Sequence, residues 1–277
     1  MSWCAVDVRT PADERDVVAA WLVGRTGQAV EERDDGTLVS VAEDPPAAEA
    51  LLRALRVRFG ARVAGSARML PEVDWRLRWK DGLGPRRIGR LLLTPSWTVP
   101  ATATATATVI IDPQTAFGTG QHGSTRAALR LLDRALHPGD RVLDLGSGSG
   151  ILAIAAAKLG AARATGVELD PEDEPIARAN AERNGVADRV RFVTGDAVVL
   201  APLLGPVELV LANILRSQNE ALLGPIQAAL VPGGTAVFAG MERSERGLFL
   251  SSLERAGFKV REETVDESWW GVAACVA

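Results

Sequence analysis

The spacing of apolar positions along the first 70 residues switches back and forth between the period of a strand and that of a helix. Residues 3–8 (WCAVDV) read as a strand. Thr10-Pro11-Ala12-Asp13 then predicts a helix start, with threonine as the cap, proline at the first helical position and an acid three residues on. Val17, Val18, Trp21 and Leu22 supply its stripe. Strand patterns at Gln28–Glu32 and Thr37–Ala42 flank the turn Asp34-Asp35-Gly36, and Ala48, Leu51, Leu52, Leu55 and Phe59 recur at helical spacing. A strand near Arg62–Ser66 completes β-α-β-β-α-β, the order of a small ferredoxin-like α+β domain over residues 1–70.

Pro71 to Pro95 departs from clean periodicity and carries Arg76, Arg78, Lys80, Arg86, Arg87 and Arg90, so residues 71–98 are expected to be a linker. The alternating Ala101–Thr108 repeat, running into Val109-Ile110-Ile111, suits an edge strand or a loop entering one. From Gly139 onward, strand patterns near 141–145, 164–168, 189–193, 207–212 and 235–239 alternate with helical ones. That order predicts a mostly parallel sheet with helices on both faces, within a second domain over residues 99–277. Lys259–Val265 and Ser268–Val276, joined by a short turn, predict an antiparallel hairpin at its end.

Composition changes this picture mainly by exclusion. With 277 residues, 47% of them hydrophobic, the chain has enough material for two cored domains. Its net charge of −4 gives no overall basic field for nucleic acid or an anionic membrane. The first residues lack the basic start and apolar centre of a signal peptide, and no apolar run approaches the ~20 residues of a membrane span, so a cytoplasmic protein without a membrane partner is expected. Cys4 and Cys275 lie at opposite ends with no CxxC, and no metal is expected. With two histidines and no tyrosine, acid/base schemes have few candidates.

The strongest chemical signal is Val142-Leu143-Asp144-Leu145-Gly146-Ser147-Gly148-Ser149-Gly150-Ile151-Leu152, a strand ending in three alternate glycines before a helix. Without Cβ atoms, Gly146 and Gly148 would let a ligand approach the backbone at the carboxyl edge of the sheet, where open α/β sheets bind ligands. A dinucleotide fingerprint needs a third small residue at the position held here by Ile151, which argues against NAD. The G-x-G-x-G form, with Asp144 just before it, resembles the first motif of class I S-adenosylmethionine-dependent methyltransferases. That likeness implies a Rossmann-like α/β sheet and S-adenosylmethionine as cofactor.

The next strand ends Gly166-Val167-Glu168-Leu169-Asp170-Pro171, and a carboxylate there could accept both ribose hydroxyls of a nucleoside. Asp170, with Pro171 after it and Asp173 three on, is explained as a helix N-cap, which leaves Glu168 as the ribose candidate. Gly195-Asp196-Ala197 follows the third strand, where the class I likeness implies an adenine contact and ordinary turn chemistry is the competing account. Asn213, in the apolar run Val210-Leu211-Ala212-Asn213-Ile214-Leu215, is either a satisfied strand end or a functional polar group.

The run Asp112-Pro113-Gln114-Thr115-Ala116-Phe117-Gly118-Thr119-Gly120-Gln121-His122-Gly123-Ser124-Thr125, then the glycine loop and Ala212-Asn213-Ile214-Leu215, resembles the bacterial PrmA family, which methylates ribosomal protein L11. Order and spacing agree over residues 75–277, including Trp79-Lys80, Ile88-Gly89 and Pro95-Ser96-Trp97. The resemblance implies that Thr125, Gly146, Glu168 and Asn213 contact the cofactor or the reacting centre, while Phe117, Thr119 and His122 line the methionine end. Asp144, Gly148 and Asp196 join the expected cofactor set, and the first domain is expected to recognise the protein substrate. Gln114 stands where the family usually has glycine, and Gly123 and Ser124 where it commonly has proline or glutamate and threonine.

An acceptor amine must offer a lone pair, which a lysine with pKa ~10.4 does less readily at neutral pH than an α-amine at ~7.7–8.0. Asn213 is the candidate catalytic residue, because its neutral carbonyl would accept an N–H without the charge that stabilises ammonium. The expected function is methyl transfer from S-adenosylmethionine to lysine or N-terminal amines of a large-subunit ribosomal protein. Methylation of another protein's lysines or of a small amine, and a catalytically silent S-adenosylmethionine-binding docking protein, are the alternatives. Arg86, Arg87 and Arg90 could add a local rRNA contact, a solvated charge run being the plainer reading.

Overall fold

The computed structural model describes residues 3–26, 30–33, 35–69, 84–100 and 107–276. The chain divides into two compact units, Met1–Trp79 and Lys80–Ala277. Gln28, Asp34, Trp75, Arg76, Arg78, Trp79, Lys80 and residues 101–106 of the threonine repeat lie outside the described residues.

In the first unit, β1 (Cys4–Arg9) pairs antiparallel with both β3 (Leu38–Ala42) and β4 (Ala64–Met69), and the short β2 (Glu31–Glu32) extends β3. With α1 (Arg15–Thr26) and α2 (Pro45–Phe59), the sheet order β2-β3-β1-β4 is the ferredoxin-like arrangement. Alternation on β1 turns Cys4, Val6 and Val8 into a core shared with Val18, Leu22, Leu51 and Leu55. Asp44 starts α2 by accepting from the Ala47 N–H at 2.7 Å.

The first helix begins differently from its sequence signal. A 3-10 turn (Ala12–Glu14) precedes it, the Glu14 N–H goes to the Pro11 carbonyl, and no side chain caps that turn. The N-cap position is Pro11, the Thr10 hydroxyl has no partner, and Val17 is exposed while Val18 and Leu22 are buried.

In the second unit, β5 (Arg86–Ile88) and β6 (Leu91–Thr94) form an antiparallel hairpin, and β6 pairs parallel with β7 (Ala107–Ile110). Residues 86–88 and 91–94, expected above within the linker, are thus strands. Ile88, Leu91 and Leu93 are buried there and Arg86, Arg87 and Arg90 exposed, an alternation too short to show through the arginines.

The main sheet combines β8 (Arg141–Leu145), β9 (Arg163–Glu168), β10 (Val190–Thr194), β11 (Val207–Asn213), β12 (Leu230–Glu242), β13 (Phe258–Asp266) and β14 (Trp269–Val276) in the order β10-β9-β8-β11-β12-β14-β13. The first five are parallel, and β14 runs antiparallel to both β12 and β13, giving the expected terminal hairpin. Both faces are covered: Leu209 and Leu211 enter one apolar cluster and Val210 and Ala212 the other. The helices between and before these strands are α3 (Gly123–Ala135), α4 (Ile151–Leu159), α5 (Asp173–Arg183), α6 (Ala197–Leu204), α7 (Arg216–Ala229) and α8 (Arg246–Arg255). Strand order reverses between β8 and β11, so the crevice for a ligand opens at their carboxyl ends.

Candidate active site

A cleft of about 860 Å3 lies there, walled by the ends of β8, β9 and β11, the loop after β10 and the start of β14. Its floor is the glycine loop. The Gly146 and Ser147 N–H groups both donate to the Val167 carbonyl, at 2.9 and 3.1 Å, which turns the chain sharply off β8. Gly146 and Gly148 have φ of +74° and +47°, and a Cβ on them would lie 2.5 Å from Ile214 Cγ2 and 2.5 Å from the Phe117 carbonyl oxygen. Glycine is thus required twice over, by the left-handed backbone and by neighbouring protein atoms.

Glu168 stands at the tip of β9 on the cleft wall. Its Oε2 accepts from the Gly148 N–H at 2.8 Å and its Oε1 from the Leu169 N–H at 2.8 Å, so one carboxylate joins the glycine loop to the turn after β9. Asp170 also faces the cleft but is not the N-cap of α5, which is Glu172; its Oδ1 accepts from the Glu172 N–H in the turn before the helix. Asp196 caps α6 through the Val198 N–H at 2.8 Å, the turn role, and also lines the cleft. Asp173 completes the acidic wall; burial first, then Glu168, Asp170 and Glu172, push its carboxyl above the usual range.

At the other end Asn213 closes β11 with 9% of its surface exposed. Its Nδ2 donates to Thr125 Oγ1 at 3.3 Å, and its Oδ1, though buried, has no partner. A buried amide oxygen without a donor is costly unless a ligand supplies one. Phe117, His122 and Trp269 line the same cleft: the His122 ring lies 4.3 Å from Trp269 and 5.5 Å from Phe117 between centroids, and His122 Nδ1 shares a 2.7 Å hydrogen bond with Ser124 Oγ. Trp269 was not singled out from sequence. The signal was the Trp269-Trp270 pair opening β14, where alternation sends Trp270 into the core and Trp269 to the cleft.

Three other sequence candidates lie off the cleft wall. Thr125 is fully buried behind Asn213. Thr119 accepts from the Gln121 N–H and borders a separate small recess with Arg86 and Thr94. Asp144 is fully buried beneath the glycine loop, where Oδ2 accepts from the Ala153 N–H at 3.0 Å and Oδ1 has no partner; burial raises its pKa to about 7.

The segment carrying His122 is clamped to the turn before Trp269. Buried Arg126 donates to Asp266 and to the Gln121 carbonyl, Arg130 pairs with Asp266 at 2.5 Å, and the guanidinium bonds hold Asp266 below the usual carboxylate range. Gly123 allows this: a Cβ there would sit 2.6 Å from Trp269 Cδ1. Gln114 has φ of +51°, which explains why glycine is the usual residue at that turn. The three arginines of the β5–β6 hairpin are tied locally, Arg90 to Asp133 at 2.7 Å, Arg86 to Gln121 and Arg87 to the Gly89 carbonyl. Among the described residues no cluster of three metal-ligating side chains occurs, and no helix is long and apolar enough to cross a membrane.

The family model for ribosomal protein L11 methyltransferase (PrmA) matches residues 17–275. Ribosomal protein L11 methyltransferase from Pelotomaculum thermopropionicum is 40% identical over 79% of this chain and 71% of its own length. The protein of that name from Geobacter metallireducens is 32% identical over 97% of this chain and 96% of its own. A crystal structure of a ribosomal protein L11 methylase from Lactobacillus delbrueckii subsp. bulgaricus superimposes with a TM-score of 0.63 at 27% identity, covering 69% of this chain and 97% of that one.

Proposed function

As the chain belongs to the ribosomal protein L11 methyltransferase (PrmA) family, an S-adenosylmethionine-dependent protein methyltransferase family, we propose that its cleft carries methyl groups to amines of ribosomal protein L11. The unpartnered Asn213 Oδ1 is the observation that carries this reading, because it leaves one directed acceptor at the aromatic end of the cleft.

The residues present fit the cofactor. Glu168 would take the ribose hydroxyls, Asp196 and its turn the adenine, and Gly146 and Gly148 the chain nearest the backbone, with Phe117 and His122 over the methionine end. S-adenosylmethionine would supply, when bound, an activated methyl that an amine lone pair attacks, forming the N–C bond as the C–S bond breaks and S-adenosylhomocysteine leaves as the neutral thioether. The protein's part is to orient and to exclude water. The aromatic side chains lining the cleft favour the neutral amine over ammonium. Asn213 Oδ1 then accepts one N–H and turns the lone pair toward the methyl, while Thr125 holds the amide by its other end. Asp144 and Thr119 act from behind the wall, on the glycine loop and the 117–122 segment.

We assign residues 1–70 to docking of the protein substrate, 71–98 to the joint and 99–277 to catalysis, in the cytoplasm where ribosomal proteins are met. Arg86 and Arg87, exposed and bonded at 3.3 Å to Gln121 and to the Gly89 carbonyl, suit a supporting rRNA contact. The test is incubation of the full chain with labelled methyl donor and, in parallel, purified L11 and a cell lysate containing L11. Label on L11 amines supports the proposal, and label confined to another lysate protein refutes the substrate.

A further inference from the structure

The segment between β7 and α3 carries Phe117 and His122 to the cleft wall without regular secondary structure of its own. Its internal bonds are few: Ala116 N–H to the Pro113 carbonyl at 2.9 Å and Gln121 N–H to Thr119 Oγ1 at 3.0 Å. Gln114, Gly118 and Gly120 all have positive φ, at 51°, 102° and 76°, so the chain turns repeatedly and cannot support itself as a helix or strand would.

Its His122 end is held by the Arg126 bond to the Gln121 carbonyl, and its Phe117–Gly118 middle is held by the glycine loop. Ser149 is fully buried and off the cleft wall, so its hydroxyl does not serve as a ligand contact. All its polar groups are used against neighbouring backbone or Asn180. The Ser149 N–H donates to the Phe117 carbonyl at 2.9 Å, its Oγ donates to the Gly118 carbonyl at 2.7 Å, and its carbonyl accepts from Asn180 Nδ2 at 3.0 Å. Asn180, also fully buried, accepts from the Asp112 N–H at 3.0 Å through Oδ1, so one amide grips both the glycine loop and the start of the segment. The approach is close: a Cβ on Gly118 would lie 2.8 Å from Ser149 Oγ.

We propose that Ser149 is a positioning residue, whose hydroxyl fixes the Phe117–Gly118 backbone and thereby holds Phe117 and His122 as the wall over the methionine end of the cofactor. This rests on the cofactor reading of the cleft for its kinetic consequence, though not for its structural one. The G-x-G-x-G spacing requires the glycines; the serine in the second gap serves the neighbouring segment. Removing the hydroxyl leaves the buried Gly118 carbonyl without a donor, while the Ser149 N–H bond to Phe117 survives.

The experiment compares Ser149→Ala with the full-length wild type in two measurements. Hydrogen exchange of the cofactor-free protein should be at least about fivefold faster in residues 115–121 of the variant and unchanged in the reference strand β10, the ratio expected from losing one neutral hydrogen bond. With S-adenosylmethionine, KM for the cofactor should rise about fivefold to tenfold while kcat falls much less. Ser149→Cys, which keeps a weaker donor, should lie between the two. Unchanged exchange in 115–121 overturns the proposal, as does acceleration that is equal in β10. Should the wild type show no affinity for S-adenosylmethionine, the cofactor reading fails, and the exchange comparison still decides the role of Ser149.

Discussion

Asp144→Asn isolates a buried acid whose cost to the fold grows with pH. Asp144 has no exposed surface, one N–H donor from Ala153 and Glu168 as a nearby like charge, and its pKa rises from 3.8 to about 7, chiefly through burial. Its folded pKa lies above its unfolded one, so between these values the native state keeps a proton that the unfolded chain has released. Stability from this group is therefore fully present below pH ~4 and falls as pH rises to ~7. The full span is worth on the order of 4 kcal/mol, of which about 2–3 kcal/mol falls between pH 5 and 8. Asparagine keeps an oxygen for the Ala153 N–H and does not titrate, so the variant should lack this loss. Glu208, drawn to about 2 by Arg141, and Asp266, lowered by Arg126, work with the opposite sign, stabilising above their unfolded values and losing that on acidification. Both are common to the two proteins and cancel in the difference. Urea unfolding of both proteins at pH 5, 6, 7 and 8 checks this: stability of Asp144→Asn relative to wild type should climb by about 2–3 kcal/mol across the series. A difference that stays constant within ~0.5 kcal/mol would refute the assignment of a retained proton to Asp144.

Glu168→Ala should weaken S-adenosylmethionine binding by on the order of 10- to 100-fold in calorimetry, since it removes bonds to a charged acceptor, whereas an equal loss in Asp170→Ala alone would move the ribose role to the other acid. Asn213→Ala should lower kcat by at least about tenfold with a smaller change in cofactor affinity, and Asn213→Asp should not restore it; near wild-type turnover in either makes Asn213 a strand-end residue. Gly240→Ala should cost more than ~2 kcal/mol in thermal or urea unfolding, because φ is +87° and the new Cβ would lie 2.2 Å from the Ile214 carbonyl oxygen, while Gly247→Ala, with nothing within 4 Å, should be neutral or slightly stabilising. Deleting residues 1–79 should leave cofactor affinity nearly unchanged and abolish methylation of intact L11, as judged by parallel calorimetry and labelling; full-rate methylation by the shortened protein removes the docking role from the first unit.

What could be read from the chain before its structure was local in sequence. The glycine loop, Glu168 at a strand tip and Asn213 in an apolar run each announce themselves within about ten residues, because backbone conformation and desolvation act at that range. The terminal hairpin and the split order of the first unit were equally legible from period alone. Where period is short or masked, the reading slipped: Arg86, Arg87 and Arg90 hid a hairpin whose inward positions are Ile88, Leu91 and Leu93. Thr10 had the right neighbours for a cap, but the helical turn begins at Ala12 with Pro11 at its N-cap position. Trp269 shows the deeper limit. It reaches the cleft only because β14 is inserted antiparallel beside β12, bringing residue 269 against His122 across the sheet. No spacing rule links those two residues; the Gly123 gap that admits the indole is meaningful only once both are in place. The same holds for Ser149, an unremarked gap in a glycine motif until its hydroxyl is seen to hold the Gly118 carbonyl in the middle of the neighbouring segment. Local patterns thus locate the floor of this site, and long-range pairing supplies its aromatic wall.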